Sequence, residues 1–545
     1  MNQSLRTDYN CNDLLRQRAR VNQTETTSSL DQDSALLVAS QKTYGPRAWL
    51  PSTQPMVWAF MALGIALRLR QYLFDRSLWN DETELVMNIL RLSPMELLKP
   101  LRDYQTAPIG FLSLEKLSVH YLGPSEMALR LVPLLCGIGS LFLFLAVARR
   151  FLHAAAVPLA VGLFAISDPL VYYASEVKQY SGDVAVALLL YLLTESLFDA
   201  HLRRAQVIFA TLAGCVAIWF SFPAVFVLAG IGLAAFWIAA KKSIRPSMLL
   251  LSIPAVLWAG SFLLYYLASL RESVRVNYDL MSYWRDAFAP FPPTHVSDLL
   301  WYKRSFFDVF SFPGGLTFAG IAAVAVIVGA NELRRRDLGK FLSLLLPIVV
   351  ALLASSLHRY PFQGRLLLFL VPSLFLFVAL GLQTIKRKTA GIPALAALLI
   401  GFLFLDPTLA AAKHFVTPPG VEEARSAIDY VEKHRSPEDI LYCYYSAEFP
   451  LQYYRERGRI GSIEQIVGVS SRNVWWRYIE DLDRLRGQKR VWILFSHVWR
   501  SSGVDEQAFF LDHLDQIGRK LDSMQATGAS AYLYDLSGDG VAIKR

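Results

Sequence analysis

Two adjacent carboxylates follow the first long apolar segment of the chain, in residues 77–84 (Ser-Leu-Trp-Asn-Asp-Glu-Thr-Glu). Lipid does not solvate ionised carboxylates, so such a pair beside a membrane span is tolerated where it faces a water-filled cleft. An aspartate in that position can act as a general base that takes the proton from a hydroxyl group. The stretch therefore offers Asp81 and Glu82 as candidate catalytic residues. An ordinary polar loop is the alternative interpretation.

A second group of polar side chains lies in residues 172–183. If a helix already runs from residue 174, then Glu176, Tyr180 and Asp183 share one face, at offsets of four and seven residues, and Lys178 lies away from it. We expect this face to orient the acceptor or to tune the neighbouring base. A helix start that carries interfacial tyrosines would look the same.

Two arginines, Arg359 and Arg365, flank a Pro/Gly turn between two apolar segments. Positive charge on the exterior side of a membrane opposes the usual distribution, so it needs a partner. Guanidinium groups match the oxygens of a phosphate. The loop therefore predicts a phosphate site, with insertion of the arginines among lipid headgroups as the alternative.

The composition predicts a polytopic membrane protein. The chain has 545 residues, of which 54% are hydrophobic, and its mean hydropathy is +0.33. About eleven apolar segments approach the length that a bilayer requires: 55–73, 126–148, 154–171, 183–199, 205–221, 223–240, 247–267, 315–331, 341–357, 365–384 and 392–410.

The basic residues indicate the orientation of the chain in the membrane. Clusters begin at Arg149, Arg203, Lys241, Arg334 and Lys386, in alternate loops, so all lie on one side if the N-terminal tail is cytoplasmic. The net charge of +9 is thereby explained without nucleic acid. We expect a multi-pass protein of the cell membrane whose C-terminus lies outside the cytoplasm.

Three regions follow from these patterns. Residues 1–54 are polar and are predicted to form a disordered cytoplasmic tail. Residues 55–410 are predicted to form the transmembrane domain. Residues 411–545 alternate helical and strand patterns and are predicted to form an exterior α/β domain. Neither a disulfide framework nor a nucleotide-binding motif is indicated by the sequence.

Two loops on the exterior side could shape a cleft. Residues 109–121 are apolar at helical spacing but too short to span a bilayer, so they are predicted to lie in the interface. The loop 268–314 is rich in arginine and aromatic residues and is a candidate for acceptor binding or for a lid. A belt of interfacial aromatic residues is an equally good interpretation.

The order of these features resembles that of the GT-C glycosyltransferases, over about residues 56–384. The bacterial family-39-like members, which are similar to protein O-mannosyltransferases and to the lipid A aminoarabinose transferase, match best. The resemblance rests on Trp79-Asn80-Asp81-Glu82, on Thr106-Ala107-Pro108, on the run from Glu176 to Tyr180, and on the C-terminal domain. It implies a GT-C type fold with about eleven transmembrane helices.

The resemblance also implies a reaction. The donor would be a polyprenyl-phosphate sugar, Asp81 the catalytic base, and a hydroxyl group on a glycan, a lipid or a protein the acceptor, with inversion at the anomeric carbon. Some members hold the phosphate with a lysine where this chain has Gln105-Thr106. That contact would then move to Lys178 or Arg365, with Arg359 as a further candidate. No cofactor is required, although a divalent cation between Asp81 and Glu176 is left open.

Two other classes of function fit parts of the pattern. A transporter or flippase for lipid-linked sugars would also carry polar residues at span ends, but such proteins often contain internal repeats, and none is evident here. A non-catalytic subunit of glycan assembly is the second alternative. For an enzyme, we expect Glu82 and partial burial to raise the pKa of Asp81. We also expect the C-terminal domain to contribute less to the chemistry than the membrane part.

Overall fold

The computed structural model describes residues 54–198, 202–242, 245–276, 283–472, 474–501 and 503–538. The predicted N-terminal tail therefore lies almost wholly outside the described residues, and so does Tyr278 of the loop 268–314.

The membrane part is built from helices that we number in chain order. The first eight are α1 (Gln54–Leu73), α2 (Asn80–Arg91), α3 (Ile109–Leu122), α4 (Glu126–Phe151), α5 (Val157–Ile166), α6 (Asp168–Tyr172), α7 (Tyr180–Thr194) and α8 (Arg204–Phe220). The next eight are α9 (Ala224–Lys241), α10 (Arg245–Tyr265), α11 (Arg271–Val276), α12 (Val296–Ser311), α13 (Ala319–Arg336), α14 (Leu338–Ser356), α15 (Val371–Lys388) and α16 (Pro393–Val416).

Within the described ranges, seven helices are long and apolar enough to cross a membrane, and a bent pair can be counted as an eighth. The bent pair joins Val157–Ile166 to Asp168–Ser175 at an angle of 58°. Each of the segments predicted from hydropathy overlaps a helix of the structure. Some of these helices, such as Arg204–Phe220, are shorter or more charged than the seven that could cross a membrane. The prediction of a polytopic helical protein is confirmed.

The loop that carries the acidic stretch contains two helices. The chain leaves α1 at Leu73, and α2 begins at Asn80, so Asp81 and Glu82 lie in its first turn. Carboxylates are favoured there because the helix dipole places positive charge at its N-terminus. The helix α3 has nearly the same bounds as the predicted interface segment 109–121.

The C-terminal region folds as an α/β unit, as predicted. Its helices are α17 (Ala424–His434), α18 (Glu448–Glu456), α19 (Trp475–Asp483) and α20 (Glu506–Ile517). Its main strands are β1 (Ile440–Cys443), β2 (Glu464–Val467), β3 (Val491–Ser496), β6 (Arg519–Ala526) and β7 (Ala529–Asp535), with a short hairpin of β4 (Arg500–Ser501) and β5 (Val504–Asp505). The main sheet has the order β2-β1-β3-β7-β6. Strand β1 is parallel to both of its neighbours, and β7 is antiparallel to β3 and β6.

Details of this region differ from the sequence-based expectation. The sequence pattern of residues 506–521 predicts one helix, but α20 ends at Ile517 and the edge strand β6 begins two residues later. Gly518 adopts an extended backbone between them and lies against the carbonyl of Asp535, where a side chain would collide. The predicted boundary at residue 411 falls inside α16, which continues to Val416.

The apolar core of the C-terminal region is continuous with that of the first loop. Leu85, Val86 and Ile89 on α2 are fully buried, in one cluster with Leu441 and Trp492 of the sheet. The helix α18 packs directly against α2. Since burial of apolar surface is the main source of stability, packing against the C-terminal region helps to hold α2 in place.

Candidate active site

The Asp81 carboxylate lies between two cations that come from distant parts of the chain. One oxygen, Oδ1, is 2.8 Å from Nζ of Lys178, and the other, Oδ2, is 2.7 Å from Nη2 of Arg365. Lys178 lies in the turn before α7. Arg365 follows Gly364, whose backbone is left-handed, with φ at 59°. The structure thus brings together three of the residues that the sequence singled out.

These contacts set the charge state of Asp81. Burial alone would raise its pKa, but the charges of Lys178 and Arg365, with the hydrogen bond that Lys178 donates, outweigh that effect. The pKa of Asp81 therefore lies below its usual range. The expected upward shift is wrong for the protein without substrate, because both cations approach from elements that local sequence does not connect to Asp81.

An amide and a second carboxylate complete one side of this cluster. Gln105 accepts a hydrogen bond of 2.7 Å from Nζ of Lys178, and its amide nitrogen donates to Glu84 over 2.7 Å. Asn80 donates to the same carboxylate over 2.7 Å. Gln105 therefore orients Lys178 without supplying a charge.

Glu84 was not assigned a role from the sequence. Burial, followed by the charge of Asp81, raises the pKa of Glu84 to about 7. Glu84 lies one helical turn after Asn80, on the same side of the helix. Its position in the acidic stretch was the feature of the sequence that could have indicated a role. A carboxylate that titrates near neutral pH beside Asp81 can hold or relay a proton.

Glu82 faces a different set of partners. Its carboxylate is fully buried and lies 2.7 Å from Nη2 of Arg130 and 3.1 Å from Nη1 of Arg76. Burial opposes its ionisation, but Arg130 and Arg76 outweigh this, and the pKa of Glu82 lies below its ordinary value. Glu82 also accepts the backbone N–H of Val177 at 2.8 Å. The carboxylate therefore joins α2 to α4 and to the turn that carries Lys178.

The residues of the second acidic group occupy separate positions. The expected helix from residue 174 does not form; a short 3₁₀ turn ends at Ser175, and α7 begins only at Tyr180. Glu176 and Tyr180 nevertheless both lie near Arg365, the carboxylate at 3.9 Å and the ring centre at 5.4 Å. Asp183 is buried in the first turn of α7.

Glu176 is the least satisfied carboxylate of the site. Both of its oxygens are buried without a hydrogen-bond partner in the described part of the chain. Burial and the charge of Glu82 raise its pKa above the ordinary value. The Arg365 guanidinium lies between Glu176 and Asp81. The sequence left this position open for a divalent cation. Among the described residues, no group of three or more His, Cys, Asp or Glu side chains is arranged to hold a metal.

Arg359, the further candidate for the phosphate contact, does not take part in this cluster in the described structure. The Arg359 side chain is exposed, and within the described ranges it makes no hydrogen bond or ion pair. The loop 268–314 is described over residues 268–276 and 283–314. Its Trp301 donates to the backbone of Asp286, and its Phe312 ring is centred 6.3 Å from the ring of Tyr173.

Glu422 and His497 of the C-terminal region contact the acidic stretch next to Asp81. Glu422 accepts the backbone N–H of Asn80 at 3.0 Å and lies 2.6 Å from Nδ1 of His497. The His497 ring is centred 6.0 Å from the Trp79 ring. The guanidinium carbon of Arg365 lies 5.7 Å from the centre of the same Trp79 ring. Sequence reasoning found no constellation around His497, because its partners are brought together only by the fold.

The charge of His497 is shaped by the acids around it. Burial alone would lower its pKa, but the hydrogen bond and charge of Glu422, with smaller contributions from Glu84 and Asp81, raise it above the usual value. Its backbone is left-handed, with φ at 53°, which is uncommon for a residue other than glycine and is often found at functional sites.

Comparison with solved structures places this architecture among known folds. ArnT from Cupriavidus metallidurans in the apo state is similar at 12% identity and a TM-score of 0.54, covering 88% of this chain and 98% of that one. ArnT bound to undecaprenyl phosphate gives 11% identity and a TM-score of 0.51, with 88% and 97% covered. The apo oligosaccharyltransferase of Archaeoglobus fulgidus gives 11% and 0.53, with 91% and 76% covered.

No protein-family model matches the sequence, and no curated protein does. At these identities the similarity is one of fold, and it agrees with the expected polytopic helical architecture with a C-terminal domain.

Proposed function

We propose that the chain is an inverting glycosyltransferase that moves a sugar from a polyprenyl phosphate to an acceptor hydroxyl. The observation that carries the proposal is the Asp81 carboxylate held by Lys178 and Arg365 in a protein of GT-C fold. One solved neighbour, ArnT, binds undecaprenyl phosphate. We place the reaction on the membrane face opposite to the five basic clusters, which is the exterior face by the positive-inside rule.

The proposed chemistry begins with an exchange of partners. A donor phosphate competes with Asp81 for Lys178 and Arg365, since both cations suit phosphate oxygens. Once these cations pair with the phosphate, Asp81 loses the charges that hold its pKa down and becomes a stronger base. Asp81 therefore becomes an effective base only after the donor has bound.

The transfer step then follows. Asp81 takes the proton of the acceptor hydroxyl. At the same time, the hydroxyl oxygen attacks the anomeric carbon from the face opposite the phosphate. The new glycosidic bond forms as the bond from the anomeric carbon to the phosphate oxygen breaks, and polyprenyl phosphate leaves with the electron pair. Lys178 and Arg365 stabilise the charge that develops on that leaving group. Gln105 holds Lys178 in position for this role.

The test uses the purified full-length chain in lipid vesicles, labelled hexosyl and pentosyl polyprenyl phosphates, and envelope extract as acceptor. We expect Asp81→Asn to lower turnover by about 10²–10⁴-fold, because a general base is lost. Donor affinity should be retained or increased, because the competing carboxylate charge is gone. Loss of donor binding together with turnover would mean that Asp81 has a structural role only.

The two arginines of the same loop provide a matched comparison in this assay. Arg365→Ala should weaken donor binding by roughly 10-fold or more, because a charge-assisted contact is lost. Arg359→Ala should change it little, since that side chain is exposed. A phosphate role for Arg359, as the sequence predicted, would appear as equal losses in the two variants.

A further inference from the structure

A polar cavity of about 330 Å³ lies in the C-terminal domain. This volume is near the lower end of the range for pockets that hold small molecules. Hydrogen-bonding side chains from the sheet, the segment before α17 and the start of α20 line it: Glu422, His497, Arg500, Gln507, Gln525 and Ser530.

The cavity depends on a close approach between two backbone segments. The tip of the β6–β7 hairpin contains Gly528, whose backbone is left-handed, with φ at 65°. A side chain there would collide with the carbonyl of Val421, 2.4 Å from an added Cβ. Glu423 donates its backbone N–H to the carbonyl of Thr527 at 2.7 Å. The segment that carries Glu422 is therefore fixed against the hairpin.

Some polar atoms of the lining have unused hydrogen-bonding capacity. The Ser530 hydroxyl is buried with no partner in the described structure, and the residue is 3% exposed. Gln507 and Gln525 both donate to the Tyr532 hydroxyl, over 3.0 and 3.1 Å. A buried hydroxyl group without a partner costs free energy, which a ligand can recover by completing its hydrogen bonds.

The charges of the lining are already balanced within the protein. His497 pairs with Glu422 at 2.6 Å, and Arg500 pairs with Asp505 at 2.7 Å. A polyanionic ligand would have to break these pairs, and a lipid chain would leave the polar groups without partners. The lining suits a neutral ligand with many hydroxyl groups.

The same cavity adjoins the Asp81 cluster. Glu422 and His497 form part of its lining, and these two residues also contact Asn80 and Trp79, which immediately precede Asp81. A ligand in the cavity therefore lies beside the residues that join the C-terminal domain to the base.

From these observations we propose that the cavity binds a neutral saccharide, and that the acceptor of the transfer reaction is a carbohydrate held there. This assignment rests on the proposed glycosyltransferase function for the identity of the ligand as acceptor. Binding of the saccharide itself can be measured without turnover.

The test measures binding of neutral di- to tetrasaccharides to the full chain by saturation-transfer NMR. The protein is placed in lipid nanodiscs, because sugar-based detergents would compete. Ser530→Ala and Gln525→Met should each weaken binding by about threefold to tenfold, as expected for one hydrogen bond. Gln465→Met is the matched control, because Gln465 lies on β2 at the opposite edge of the sheet. Thermal unfolding of each variant verifies that it is folded.

Each outcome decides the assignment. Saccharide binding that falls in both cavity variants but not in Gln465→Met supports it. Saccharide binding that is equal in all variants overturns it, and so does binding of serine- or threonine-containing peptides in place of saccharides. Cavity-dependent binding by a protein that consumes no polyprenyl-phosphate sugar would support the cavity and overturn only the proposed transfer reaction.

Discussion

At the scale of single residues, the site is a set of carboxylates whose partners differ. Asp81 is paired with Lys178 and Arg365, which are cations of the kind that also bind phosphate. Glu82 is paired with two buried arginines. Glu84 lies beside Asp81 and accepts hydrogen bonds from the side-chain amides of Asn80 and Gln105. Three acids in one short stretch thus have three different environments, and the chemical assignment follows from those environments.

Glu84 predicts a pH dependence of stability. Its pKa is raised from 4.5 to about 7 in the folded protein, so the fold disfavours the ionised form. The cost is absent below the unfolded pKa, grows as pH rises between the two values, and is complete above about 7. From pH 5 to 8, the wild type should lose about 1–3 kcal/mol of stability relative to Glu84→Gln.

Thermal unfolding as a function of pH provides this measurement. Glu480→Gln is the control, because Glu480 is an exposed carboxylate on α19. Its curve should run parallel to that of the wild type. A Glu84→Gln curve that is also parallel would show that Glu84 does not titrate in this interval.

At the scale of elements, the helix α2 determines where the base lies. Its first turn is tied to α4 through Glu82 and Arg130, and to the turn before α7 through the N–H of Val177. Its apolar face is buried against the C-terminal region. Lys178 follows Val177 directly, so the contact that fixes α2 also fixes one of the cations that hold Asp81.

Substitution of Glu82 tests this arrangement. Glu82→Gln leaves Arg76 and Arg130 buried without their carboxylate, which typically costs 3–5 kcal/mol. Glu456→Gln removes an exposed ion pair with Arg91 and should cost less than about 1 kcal/mol. Thermal unfolding in nanodiscs compares the two. A Glu82→Gln protein that is as stable as wild type but does not turn over would support the chemical role predicted from the sequence.

At the scale of the whole molecule, the C-terminal region contacts the loop that carries the candidate site. Ser77 donates to Glu423 at 2.9 Å, and the backbone N–H of Leu78 donates to the Tyr454 hydroxyl at 3.1 Å. Arg425 pairs with Asp75 and Glu126, the latter at the start of α4. The chain on both sides of the first membrane loop is therefore held by this domain, and its smaller contribution to the chemistry stays a prediction.

Arg425 permits a test of this connection. Arg425→Ala removes two ion pairs and a backbone contact between the domain and the first loop, so we expect a loss of about 1–3 kcal/mol and lower turnover. Arg459→Ala removes an ion pair with Asp429 within the domain and should have little effect. Thermal unfolding and donor consumption are measured together. Equal results for the two variants would argue against a connection between the domain and the site.

Sequence alone determined the features that depend on local pattern. Hydropathy located the membrane helices, because a bilayer requires about 20 apolar residues and internal satisfaction of every backbone hydrogen bond. Alternating patterns indicated the C-terminal α/β region, and the expected overall architecture agrees with the fold that the chain shares with ArnT. The acidic stretch with Asp81 stood out because its charges are costly beside lipid.

Only the tertiary structure decided which groups meet. Lys178 and Arg365 lie far from Asp81 in the sequence, and their approach lowers a pKa that local neighbours were expected to raise. The same holds for His497, which reaches Trp79 from the C-terminal domain. Local periodicity records which side of an element is buried, but it contains no information on which distant element covers that side. The strength of a base depends on those distant charges, because electrostatic interactions inside a protein are strong and are set by distance in space.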